Sequence, residues 1–200
     1  MKEPFTKFIK DNLNFDFVLI TCGLPGTWKT ETSEEVVKTK GYPLLRSDII
    51  RLEVLKNEDI FDEKVAGNMD KRMMVYEELF RQAEEALKKN KGVALDATFV
   101  TQALRKRAAA IAVKHKLPLV ILQTDCSQEV AIGRILKRTK ERYESNALTE
   151  KAYLDNKKKF EKVDLKDLKE SFPRLSITHL VVDTSDDPPE AWYITGIEKK

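Results

Sequence analysis

The chain has 200 residues, 42% of them hydrophobic and 34% charged, with a net charge of +3. That size suits a single domain, expected over residues 1–200, with a core large enough to need no staples. A balance so close to neutral does not mark an extended nucleic-acid or membrane surface, and the two cysteines, Cys22 and Cys126, lack zinc-type spacing and read as small buried apolar residues. The start, Met1 to Lys10, has an early acid and no long apolar core, so it is not read as a secretory signal. No run of apolar residues is long enough to span a membrane, so a cytoplasmic protein is expected, with no obligate protein partner.

In chain order, residues 4–13 predict a short helix with Phe5, Phe8, Ile9 and Leu13 on one side, and Phe17–Cys22 predicts a strand. A helix over Lys29–Lys40 ends at Gly41-Tyr-Pro, and Leu44–Asp48 reads as a short second strand followed by a helix from Ile49. Residues 57–68 are the least regular stretch. Met69–Asn90 is a long helix in which Met69, Met73, Tyr76, Phe80, Ala83 and Leu87 recur at helical spacing, and Tyr76 and the methionines are assigned to the core. A strand over Gly92–Asp96, a helix over Thr101–Lys114 and a strand over Leu117–Asp125 follow. Ser127 caps a helix running to Lys137, and Leu148–Phe160 is another. Residues 161–176 are ambiguous, His179–Asp183 is a last strand, and 188–200 predicts a closing helix. Strands alternating with helices argue for a parallel sheet covered on both faces, with ligands collecting at the carboxyl ends of the strands. Gly23, Asp48, Asp96, Asp125 and Asp183 lie at those ends; Asp125 and Asp183 are read mainly as turn residues.

The most informative stretch is Gly23-Leu24-Pro25-Gly26-Thr27-Trp28-Lys29-Thr30, between an apolar strand and a polar helix. It follows the phosphate-binding pattern G-x-x-x-x-G-K-[ST] except that Trp28 stands in the place of the last glycine. In such a loop successive backbone N–H groups and the helix N-terminus cradle an anion. Lys29 would reach the terminal phosphates of a nucleotide and Thr30 would hold a magnesium ion. An indole at position 28 requires a backbone that tolerates a Cβ where glycine is usual.

Ser47-Asp48-Ile-Ile-Arg51 puts an acid at a helix start with an arginine one turn on, on the same side. Asp48 fits a base that accepts a hydroxyl proton, or an N-cap, or both; Arg51 fits a fork for an anionic acceptor or a surface arginine. Val93-Ala-Leu-Asp96 resembles a strand whose terminal acid supports a metal, with Thr98 pointing to the same pocket. The basic run Arg134, Lys137, Arg138, Lys140, Arg142 is either a solvated helix face or a hinged lid. A lid over about 138–148 would bring cations onto a phosphoryl group, Arg138 first and Arg142 second, with Arg134 packing beneath them. His115 and His179 are treated as structural.

Taken in order, GLPGTWKT, Ser-Asp-Ile-Ile-Arg, Val-Ala-Leu-Asp-Ala-Thr-Phe and the Arg-x-x-x-Arg run resemble the predicted P-loop kinases of AAA type, related to polynucleotide 5′-hydroxyl kinase and the zeta-toxin group, over roughly residues 16–185. The resemblance implies a P-loop NTPase three-layer sandwich with a five-stranded parallel sheet of order 2-3-1-4-5 and a helical lid. It implies transfer of the ATP γ-phosphate to a hydroxyl, with magnesium, on a small metabolite or nucleic-acid end. Lys29 and Thr30 then take phosphate and metal, Asp48 activates the acceptor, Arg51 holds it, Asp96 supports the metal and Arg138 closes over the phosphates. Residues 181–186 resemble the strand and turn flanking the adenine ring. The departure at Trp28 leaves a second expectation: a nucleotide-binding regulatory module, or a triphosphatase with water as acceptor.

Overall fold

The computed structural model describes residues 3–139 and 145–200. Its centre is a sheet of order β1-β7-β6-β5-β2-β4-β3. The elements in chain order are β1 (Glu3–Pro4), α1 (Phe5–Asn12), β2 (Val18–Cys22), α2 (Lys29–Lys40), β3 (Leu44–Arg46), α3 (Ser47–Val54), α4 (Glu63–Gly67), α5 (Met69–Leu87), β4 (Val93–Asp96), α6 (Gln102–Lys114), β5 (Leu119–Asp125), α7 (Gln128–Leu136), α8 (Glu150–Lys159), α9 (Leu165–Ser171), β6 (Ile177–Asp183) and β7 (Tyr193–Lys199). The parallel part, β3-β4-β2-β5-β6, has the expected 2-3-1-4-5 order of its five strands.

The period of two along each strand builds two cores. Val18, Ile20, Val93, Leu95, Leu119 and Ile121 pack on one face with α5, α6 and α9. Leu19, Ala94, Val120 and Leu122 pack on the other with Phe5, Phe8, Ile9 and Leu13, the stripe expected of the leading helix. Strands buried on both faces read as continuous apolar runs, which is why they were visible without alternation. Among the described residues no helix is long and apolar enough to cross a membrane.

The C-terminal segment corrects the expected helix. Residues 188–200 form a 3-10 turn, Pro189–Ala191, and then β7, antiparallel to β6. Tyr193-Ile194-Thr195 is rich in β-branched and aromatic residues, and the free edge of β6 supplies the hydrogen bonds a helix would otherwise make internally. β1 pairs antiparallel with β7. Of the ambiguous residues 161–176, 165–171 are helical. The second strand stops at Arg46, so Ser47 and Asp48 belong to the first turn of α3, whose N-cap is Arg46. Asp48 is therefore not the N-cap. Residues 140–144 of the expected lid, Lys140 and Arg142 among them, lie outside the described residues.

Candidate active site

The phosphate-loop segment folds as a compact turn between β2 and α2, and its residues divide into two groups. Gly23, Leu24 and Thr27 hold the loop. The Gly23 N–H donates to the Thr98 carbonyl at 3.3 Å, the Thr27 hydroxyl donates to the Leu24 carbonyl at 2.8 Å, and Leu24 packs against Ala131, Ile135 and Tyr153. Pro25, Gly26, Trp28, Lys29 and Thr30 line the adjoining cavity, of about 210 Å³. Gly26 has φ of 81°, and a Cβ there would stand 2.4 Å from the Ala131 carbonyl oxygen, so only glycine fits the close approach of α7.

Trp28 adopts φ 55° and ψ 38°, the left-handed conformation that a glycine in this place would reach without strain. Two contacts hold the indole: the Arg134 guanidinium lies 4.7 Å from its ring centre, and its Nε1 donates to the Asp187 carboxylate at 3.3 Å. Tryptophan thus keeps the turn's backbone geometry. Arg134, expected beneath Arg138 and Arg142, directs its guanidinium to the phosphate loop and the turn after β6. It is 8% exposed and donates to the carbonyls of Gly26 (3.3 Å), Thr184 (2.8 Å), Ser185 (3.1 Å) and Asp186 (3.2 Å) and to the Asp187 carboxylate (2.9 Å). It ties the phosphate-loop turn to the turn after β6.

Asp96, buried at the end of β4, is the hub of the opposite wall. It accepts from the Thr30 hydroxyl at 2.5 Å and the Thr21 hydroxyl at 3.1 Å, and Arg46, its register partner on β3, lies 3.9 Å away. Burial raises its carboxyl above the usual range, opposed by the Thr30 hydroxyl and the Lys29 charge. Lys29 is shifted down by burial, opposed mainly by Asp96. Its Nζ donates to the Leu24 carbonyl at 2.6 Å, curling over the loop.

Asp48 and Arg51 form an ion pair on α3 and line the same cavity. Arg138 lines it from beyond α7, with Nη1 donating to the Ala147 carbonyl at 3.4 Å. Thr98 lines it too. The structure therefore brings together Lys29, Thr30, Asp48, Arg51, Asp96 and Arg138, drawn from four separate stretches. Asp125 and Asp183 stay outside that cavity, with Asp183 accepting from the Ser185 N–H at 3.0 Å as a turn residue.

Sequence reasoning missed several cavity residues. Tyr76 does pack in the core, its ring 5.4 Å from that of Phe99. Yet its hydroxyl also accepts the Phe99 N–H at 3.0 Å, and the residue lines the cavity. Arg72, four residues earlier on the same face of α5, and Asn156 on α8 complete the wall. The i,i+4 relation of Arg72 to Tyr76 was the available signal.

The AAA domain family model (AAA_33) matches residues 18–163, and the chain belongs to that family. Among solved structures the chain is similar to a gluconokinase from Sinorhizobium meliloti 1021, with 17% identity over 88% of this chain and 86% of that one and a TM-score of 0.56. It is also similar to a sugar kinase from Janibacter sp. HTCC2649, with 17% identity over 88% of each chain and a TM-score of 0.59. The fold is that of the P-loop kinases. No curated protein matches.

Proposed function

We propose that the protein is an ATP-dependent phosphotransferase that moves a γ-phosphate to the hydroxyl of a small metabolite. The observation that carries this is the convergence of Lys29, the Thr30–Asp96 pair and Asp48 on one cavity at the carboxyl ends of the parallel strands. A triphosphatase would need no residue pair like Asp48 and Arg51 facing the phosphate loop, and the fit of Trp28 to its backbone slot argues against a spoiled loop.

The donors suit magnesium: Thr30 and Asp96 offer hard oxygens that already share a proton contact, and Thr21 orients the carboxylate from behind. When bound, the ion would neutralise charge on the phosphate oxygens. The loop N–H groups and Lys29 bind the β- and γ-phosphates, and the ammonium gives up the Leu24 carbonyl to do so. Asp48 accepts the acceptor's hydroxyl proton as its oxygen bonds to phosphorus and ADP departs. Arg51 steadies the Asp48 carboxylate. Arg138, which lines the cavity, supplies positive charge there, and Arg142 is the second choice for that role.

The test is transfer from γ-labelled ATP with magnesium into a pooled metabolite extract, a 5′-hydroxyl oligonucleotide or water. Label on a metabolite, lost in Lys29→Ala, is the expected result. Phosphate released equally with and without acceptor would point to a triphosphatase, and saturable ATP binding without turnover to a regulatory module.

A further inference from the structure

A second chamber of about 320 Å³ adjoins the cavity beside the phosphate loop and shares lining residues with it. Arg51 from α3, Arg72 from α5 and Asn156 from α8 line both spaces and form the wall between them. Arg72 is half-buried there, and its Nη2 donates to the Asn156 side-chain oxygen at 3.0 Å. The Asn156 amide is itself fixed, its Nδ2 donating to the Ala152 carbonyl at 2.7 Å. A neutral amide positions the guanidinium but does not pair its charge. Among the described residues no carboxylate lies within ion-pair distance of Arg72, whereas Arg81, Arg107 and Arg134 are each matched to an acid.

A half-buried cation with no directly bonded acid is costly: burial works against its protonated form, and the longer-range pull of Asp48 is opposed by Arg51. Among the described residues, the chamber beyond it is lined by Lys151, Lys159 and one acid, Asp155, which lies 3.8 Å from Lys158. Phe61 and Leu148 supply its apolar part. A planar fork held in place, facing a chamber of metabolite size, suits a carboxylate or phosphate group.

We propose that the acceptor is a small hydroxyl compound that also carries an anionic group, which Arg72 seats at the shared wall while the hydroxyl faces Asp48. This specificity rests on the phosphotransfer reading: the acceptor oxygen bonds to the γ-phosphorus, the bond to the ADP oxygen breaks, and the acceptor proton goes to Asp48.

The experiment uses γ-labelled ATP and magnesium with matched acceptors: glycerol and sorbitol as neutral polyols, glycerate and gluconate as carboxylates, glycerol 3-phosphate as a phosphate, and a 5′-hydroxyl oligonucleotide. Calorimetric titration of the same small compounds onto the full chain runs beside it, for the wild type, Arg72→Gln and Arg72→Lys. The anionic acceptors are expected to exceed the neutral ones by about 100-fold in kcat/KM. Arg72→Gln should erase that gap through KM while ATP binding holds, and Arg72→Lys should restore part of it. The carboxylate and phosphate arms tell which anion is preferred. Equal labelling of neutral and anionic acceptors overturns the proposal. So does an equal loss on both in Arg72→Gln, which marks a structural role, or an oligonucleotide as the sole acceptor. Anion binding that depends on Arg72 without any transfer leaves the anion site standing and removes the phosphotransfer reading. Neither binding nor transfer removes both.

Discussion

The two sides of the candidate site are built on opposite principles. On the phosphate-loop side almost every polar group is already answered from within the chain: Thr27 by Leu24, Lys29 by Leu24, Thr30 by Asp96, and Arg134 by a ring of carbonyls. On the side assigned by our proposal to the acceptor, lined by α3, α5 and α8, Arg72 finds only an amide. A side that handles one invariant chemical group can be fixed before the ligand arrives, because preorganised dipoles cost no rearrangement later. A side that must choose among ligands keeps a charge that only the right one compensates, since specificity is strongest where the wrong partner leaves a polar group unpaired.

Substitutions sharpen or break this contrast. The largest effect is expected for Lys29→Ala, which removes the cation on the loop: labelled transfer should fall by about 10³-fold, with weaker nucleotide binding by calorimetry. Retained turnover would mean the loop does not hold the transferred phosphate. Asp48→Asn should lower kcat by about 10²-fold, the usual worth of a positioned base, while ADP binds as before. A change in ADP affinity would put Asp48 on the nucleotide side and blur the division. Arg134→Met should cost about 2–3 kcal/mol of stability in a denaturant melt, because it strands several carbonyls that the guanidinium now satisfies. The smallest effect is expected at Trp28→Gly. It relieves a left-handed backbone penalty of about 1–2 kcal/mol but gives up a cation–π contact worth about 0.5–1 kcal/mol and adds unfolded-chain freedom worth roughly as much. Stability should stay within about 1 kcal/mol of the wild type, and a larger loss would show the indole to be a keystone of the loop.

The same contrast explains what could be read from the residues alone. The parallel strands and the acids that end them were legible because each is a short apolar run closed by Gly23, Asp96 or Asp125, a local signal. The phosphate loop was legible despite Trp28 because its spacing is local as well. β7 was not: Tyr193-Ile194-Thr195 suits a strand, but the open edge of β6 that makes it one is not visible locally. Arg134 looked like one more cation in a basic run, yet its partners are carbonyls some fifty residues away. Arg72 was not singled out on its long helix, and only its bond to Asn156 of α8 beside Arg51 makes it part of a wall. Residues whose role comes from convergence carry little sequence mark of it; for Arg72 it was the i,i+4 relation to Tyr76 alone.

Both tryptophans of the chain donate to one short turn: Trp28 to the Asp187 side chain and Trp192, 1% exposed, to the Asp186 carbonyl at 2.8 Å. The turn after β6 is therefore read optically from two sides, by a half-buried indole against the phosphate loop and by a fully enclosed one from the sheet edge. Intrinsic fluorescence becomes a built-in gauge of that turn, and in Trp192→Phe the emission comes from Trp28 alone, against the phosphate loop.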